Sequence, residues 1–81
     1  MNKNKKKLDD LFYVIFKIPK NKNKKNASYK NVKKWDSLNH VSLILAIESK
    51  FNIEIKPEDS IELTSYKKIL NFINNHDNMH M

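Results

Sequence analysis

Few side chains in this sequence could do chemistry. The first group is Asp36–Ser37, an acid beside a hydroxyl at the head of the apolar run "SLNHVSLILAIESKF". Asp and Ser both suit a helix N-cap, so Ser37 reads either as a cap or as a chemical handle. The second is His40, one turn further on. No second ligand or carboxylate is spaced to complete a metal site with it, so a solvated ring is expected. The third is the pair Asp9–Asp10. Two adjacent acids could form an acid–base dyad, but at the start of an apolar run they read as the charge complement of a helix's first turn. His76 and His80 near the chain end allow at most a weak adventitious metal site. No nucleophile–base pair and no metal constellation can be assembled, so the chain is not expected to be an enzyme.

Composition narrows the choices further. The chain has 81 residues, enough for one small domain. Folding at this size buries roughly 60–65% of the unfolded surface, one modest core with no deep enclosed site. Cys is absent, which excludes disulfides, thiolate metal sites and cysteine nucleophiles. Gly is absent too, which excludes glycine-rich phosphate loops. The formal charge of +7 is unevenly spread: residues 1–34 hold twelve Lys and two Asp, residues 35–81 four Lys and seven acids. No apolar run reaches the length of a membrane span. The N-terminal lysines followed by apolar residues resemble a signal peptide only superficially, because Asp9 and Asp10 interrupt them and no small-residue cleavage site follows. A cytoplasmic monomer is expected.

These residues need elements to position them. Leu8, Leu11, Phe12 and Ile15 are spaced as one face of a helix, which Pro19 should stop near Lys17. Residues 20–34 are polar, with Ala27, Tyr29 and Val32 as anchors, and read as a long loop with a solvated lysine surface. A second helix starts at Asp36 or Ser37 and runs to about Lys50. Pro57, Glu58 and Asp59 suit the first turn of a short third helix. Thr64 or Ser65 caps a fourth, with Ile69, Leu70 and Ile73 as its buried stripe. The expected fold is all-α, a small bundle of three main helices and one short one. The expected organisation is one domain over 1–81: a basic extension over 1–7, the bundle over 8–75, and a flexible tail over 76–81.

At 100° per residue the second helix carries two apolar stripes. Leu38, Val41 and Leu45 lie close to Ser37; Leu43, Ile44, Ile47 and Phe51 lie opposite. An all-round apolar helix is usually buried, yet a bundle this small can hardly enclose one. Either both stripes pack, or one stays exposed as a binding surface. The wheel alone leaves both readings standing.

The run "DSLNHVSLILAIESKFNIEI", followed by "PEDSIELTSYKKILNFI", resembles acyl carrier proteins. The likeness covers about residues 8–73. It implies an acyl-carrier-like bundle that is not itself catalytic. It also implies a phosphopantetheine arm on Ser37, attached by a phosphopantetheinyl transferase and ending in a thiol that holds acyl groups as thioesters. A phosphodiester at a helix N-terminus gains about 0.3–1 kcal/mol from unpaired N–H groups and the dipole. By the same resemblance Asp36 assists the modification, and Leu38, Val41 and Leu45 dock partner enzymes that load or accept acyl groups. Ile44, Ile47, Phe51, Ile61 and Ile69 line an acyl pocket.

The chain departs from the common family pattern in two ways. Lys34 and Trp35 precede the triplet where housekeeping carriers have Gly three residues before the serine. Ser42, Ser49 and Lys50 stand where acids are usual. "WDSL" looks more like stand-alone carriers of specialised biosynthetic pathways, and the missing acids with a lysine-rich first loop imply a dedicated partner with an acidic rim. The alternative is a small basic helical module binding nucleic acid or an acidic protein. Without arginine, and with only Tyr29 and Trp35 as aromatics near the lysines, the nucleic-acid version is the weaker one.

Overall fold

A computed structural model describes residues 3–79. Among them four helices follow in order: α1 Lys3–Phe16, α2 Ser37–Phe51, α3 Pro57–Glu62 and α4 Tyr66–Met79. Among the described residues no strand forms, only an isolated bridge between Ser28 and Ser65. The all-α architecture is the one that the helical spacing implies.

α1 starts at Lys3, so from there the lysine-rich segment is helix and not an extension. Lysine is a good helix former, and Lys5 pairs with Asp9 one turn on at 3.3 Å. Asp9 and Asp10 therefore sit in mid-helix, not in a first turn. α4 likewise continues past 75 as far as Met79. His76 thus lies within a helix, its ring against Phe72 at 4.4 Å; His80 lies outside the described residues.

α1 packs on both α2 and α4. Of its stripe Leu8, Leu11, Phe12 and Ile15, the first three are buried as expected and Ile15 is half-buried, while Phe16 joins the core. From α2 the core takes Leu43, Ile44 and Ile47; from α4 it takes Tyr66, Ile69 and Ile73. Each fully buried Leu or Ile contributes roughly 1.5–3 kcal/mol. Phe12 is the centre: its ring meets Phe16, Trp35 and Tyr66 edge-on at 5.2, 5.5 and 5.1 Å. α3 buries none of its own side chains; Ile55 before it and Leu63 after it reach the core instead.

Without glycine, both long helices that precede connections end on a side-chain-bearing residue in the left-handed region. Asn52, at φ 55°, closes α2, its N–H donating to the Glu48 carbonyl. Asn tolerates this conformation well. Lys17, at φ 62°, closes α1, its N–H donating to the Tyr13 carbonyl at 2.9 Å. Lysine has no local side-chain bond to offset the Cβ crowding. Lys17→Gly is expected to raise stability by about 0.5–1 kcal/mol, read as a higher urea midpoint; a lower midpoint would contradict this.

The connection between α1 and α2 is pinned from inside. Lys24 is buried, in contrast to the solvated lysine surface expected there. Its Nζ donates to the carbonyls of Pro19 (3.3 Å), Lys20 (3.2 Å) and Lys22 (2.9 Å) and lies 3.6 Å from Asp9 Oδ1. A buried ammonium needs such partners. Asp9 Oδ1 also accepts from the Tyr66 hydroxyl at 2.6 Å. On the outer side Lys20 pairs with Asp10 at 3.1 Å. Further along, Tyr66 N–H donates to the Ala27 carbonyl and Tyr29 N–H to the Thr64 carbonyl. Tyr29 thus anchors the loop through its backbone, while its side chain stays exposed.

Burial, and then the adjoining Asp9 carboxylate that accepts its proton, push the Tyr66 phenol well above its ordinary value of 10.0. Above about pH 10 the unfolded chain releases this proton while the folded chain keeps it, so stability falls as pH rises through that range. The stability of Tyr66→Phe should decline less steeply between pH 9 and 11. Equal slopes in the two proteins would refute the assignment.

Candidate functional site

The site is built at the head of α2. Asp36 is the N-cap, in extended backbone at φ −104° and ψ −177°. Its Oδ1 accepts from the Asn39 N–H at 2.9 Å, and its carbonyl from the His40 N–H at 2.8 Å. Asn39 Nδ2 in turn donates to the Lys34 carbonyl at 2.7 Å, tying the incoming chain to the first turn. Ser37 is therefore the first helical residue and not the cap. It is exposed, and no hydrogen bond engages its hydroxyl among the described residues.

Asp36→Ala should cost about 1 kcal/mol by removing the cap, whereas Asp36→Asn should cost only a few tenths, because the two types cap about equally well. Thermal denaturation of the pair checks this. A large loss with Asn would mean that the charge, not the cap, stabilises the helix head.

Trp35 braces this platform from below. It is buried and stacks on Phe16 at 5.0 Å. Its Nε1–H donates to His40 Nδ1 at 3.0 Å. Indole nitrogen is only a donor, so Nδ1 must accept and Nε2 carries the proton. Nε2–H then donates to the Ser60 carbonyl at 2.9 Å. His40 is thus no solvated histidine: half-buried, it ties α2 to α3 and to the loop tryptophan. Single-residue spacing could not show this, because both partners are remote in structure type: a loop indole and a backbone carbonyl.

Beside Ser37 lies a groove of about 520 Å³. It is lined by Tyr29, Trp35, Asp36, Ser37, His40, Val41, Ile61 and Thr64. The two stripes of α2 part company here. Leu38, Val41 and Leu45 are 77%, 56% and 60% exposed, while Leu43, Ile44 and Ile47 are buried. One stripe packs and the other faces solvent.

Of the five residues expected around an acyl pocket, Ile44, Ile47 and Ile69 lie together in the core and Phe51 packs against it, half-buried. The structure does not place Ile61 with them: it is 72% exposed and opens onto the groove. The reason is the shortness of α3, which leans on the core through its flanking residues only. Glu48, between the stripes, is committed elsewhere: its Oε2 accepts the Ile55 N–H at 2.8 Å and holds the turn before α3.

The head of α2 thus presents an uncommitted serine beside an apolar groove and an exposed apolar stripe. No family model matches the chain. Curated relatives do. Over 75 residues it is 40% identical to an acyl carrier protein of Buchnera aphidicola subsp. Schizaphis graminum, covering 93% of this chain and 95% of that one. It is 41% identical over 49 residues to the acyl carrier protein of Thermosynechococcus vestitus, 60% of each chain. It is 45% identical over 40 residues to that of Campylobacter jejuni, 49% of this chain and 52% of the relative.

The chain belongs to the acyl carrier protein family. Its role is that of a carrier and not of a catalyst, and the family implies a phosphopantetheine prosthetic group and enzymes that act on it. The reading as a basic nucleic-acid or protein-binding module finds no support among these relatives. No described helix is long and apolar enough to cross a membrane.

Proposed function

We propose that this protein carries acyl intermediates on a phosphopantetheine arm esterified to Ser37. One observation carries the reading: Asp36 takes over the capping role, which leaves the Ser37 hydroxyl exposed and unbonded at the first position of α2. The surroundings fit the group. The Ser37 and Leu38 N–H groups lie in the first turn, where no intrahelical carbonyl reaches them, and they favour a phosphodiester anion. The groove beside Ser37 offers apolar walls for whatever the arm bears. When attached, the arm supplies the thiol that this cysteine-free chain lacks.

The chain's own residues divide the remaining work. Asp36, exposed next to the hydroxyl, assists the transferase during modification. Leu38, Val41 and Leu45 dock the transferase and the acyl-loading and acyl-accepting enzymes. Ile44, Ile47, Phe51 and Ile69 are the walls that an acyl chain would part, with Ile61 at the mouth. Lys34 and Trp35 before the triplet, with Ser42 and Ser49 in place of acids, support service to a dedicated biosynthetic pathway. The protein works as a monomer, since pairing through the α2 stripe would bury Ser37.

Incubation with coenzyme A and a broad-specificity phosphopantetheinyl transferase, followed by intact mass, tests the reading. One added phosphopantetheine is expected. A folded, helical protein that gains none would refute it.

A further inference from the structure

The charges around the exposed stripe of α2 lean to one sign at each end: lysines outnumber the exposed Asp36 at its head, and acids outnumber the exposed Lys56 beside α3. At its head Lys30, Lys33 and Lys34 are exposed. The Lys34 carbonyl is bonded to Asn39, which places Lys34 at the first turn, with Lys33 before it in the chain and Lys30 further back in the loop. On α3, Glu58 and Glu62 are exposed as well, one turn before and one residue after Ile61, which lines the groove. None of these five joins an ion pair among the described residues, whose ion pairs use Lys5, Lys20 and Lys24 with Asp9 and Asp10. The stripe itself is nearly silent. Ser42 and Ser49 are neutral, Glu48 is spent on the Ile55 N–H, and Lys50 sits at the far end.

We propose that partner enzymes meet α2 with a rim of two signs: carboxylates against Lys30, Lys33 and Lys34, and cations against Glu58 and Glu62. The inference rests on the carrier reading and specifies the partner for the same site. The excess of one sign on each bank acts as a separate pole, because screening fades its field within about 8 Å at physiological salt. Such a pattern speeds encounter and fixes orientation more than it adds affinity. It turns the partner so that its active site faces Ser37. A second copy of the chain would also match a two-signed face, but that pairing covers the serine other proteins must reach.

The probe is a broad-specificity phosphopantetheinyl transferase chosen for a basic carrier-facing surface, alongside a variant with the cations opposite the α2 head changed to Glu. The readout is kcat/KM for modification of Ser37 by intact mass, at low and high salt. The wild-type chain should be modified roughly tenfold faster by the acid-faced variant. Lys33→Glu/Lys34→Glu should reverse that preference. Glu58→Lys/Glu62→Lys should slow the parent enzyme, and 0.5 M salt, with a screening length of about 4 Å, should level these differences. Rates equal within about twofold for all pairs would overturn the two-signed rim and leave the carrier intact. Modification by neither enzyme would bring down both. A dimer by sedimentation at assay concentration, with Ser37 protected, would also overturn the proposal.

Discussion

Ser37→Ala is expected to abolish the gain of phosphopantetheine entirely while leaving the bundle folded. The two halves of this result have different causes. The modification needs a hydroxyl oxygen at that one position, and the nearest other hydroxyl on the same helix is Ser42, more than a turn away. The stability needs almost nothing from Ser37. Its side chain is exposed, the cap is Asp36, and Ala is the best helix former. The change in unfolding free energy should stay within about 0.5 kcal/mol, as for other exposed sites. Intact mass and urea denaturation on the same preparation give both numbers. A Ser37→Ala protein that still gains the group would move the attachment site elsewhere. One that unfolds would make Ser37 a structural residue after all.

Phe12→Ala is expected to unfold the protein or bring it close to that point. Phe12 is fully buried and is the ring on which Phe16, Trp35 and Tyr66 converge. Removing a buried Phe costs about 3–5 kcal/mol, because the cavity is only partly refilled. A chain of this length holds about 4–12 kcal/mol in total. The loss extends to function, since Trp35 holds His40 and His40 holds α3 against the head of α2. Helicity by circular dichroism across a urea series measures the effect. Ile15→Ala, at a half-buried position of the same helix, serves as the control and should cost distinctly less. A cost below about 1.5 kcal/mol for Phe12→Ala would mean that the aromatic cluster repacks freely.

Much of this molecule was legible along the chain because the signals are local. Helical spacing marked Leu8, Leu11 and Phe12, and the pattern of proline and acids marked α3. The run from Asp36 to Phe51 marked the head of the second helix, since capping preferences act within one turn, and the family resemblance singled out Ser37 there. What stayed hidden depends on which remote groups meet. Two apolar stripes on one helix look alike in sequence. Only the packing of α1 against α2 decided that Leu43 and Ile47 are buried while Leu38, Val41 and Leu45 face solvent.

The lysines show the same division. Sixteen of them look interchangeable on the page. Lys24 alone turns inward to three carbonyls and Asp9, because the loop must fold back over α1 and its backbone acceptors would otherwise be stranded. His40 was read as solvated for want of a sequence neighbour, and it found its partners in a loop indole and an α3 carbonyl. The family resemblance implies Ile61 as a wall of the acyl pocket. A helix of six residues braced only at its flanks leaves it in the groove beside Ser37. Local hydrogen bonding and periodicity belong to the chain. Burial, and with it the choice of which serine, lysine or histidine is at work, belongs to the tertiary contacts, because desolvation depends on everything that surrounds a group and not on the residues beside it.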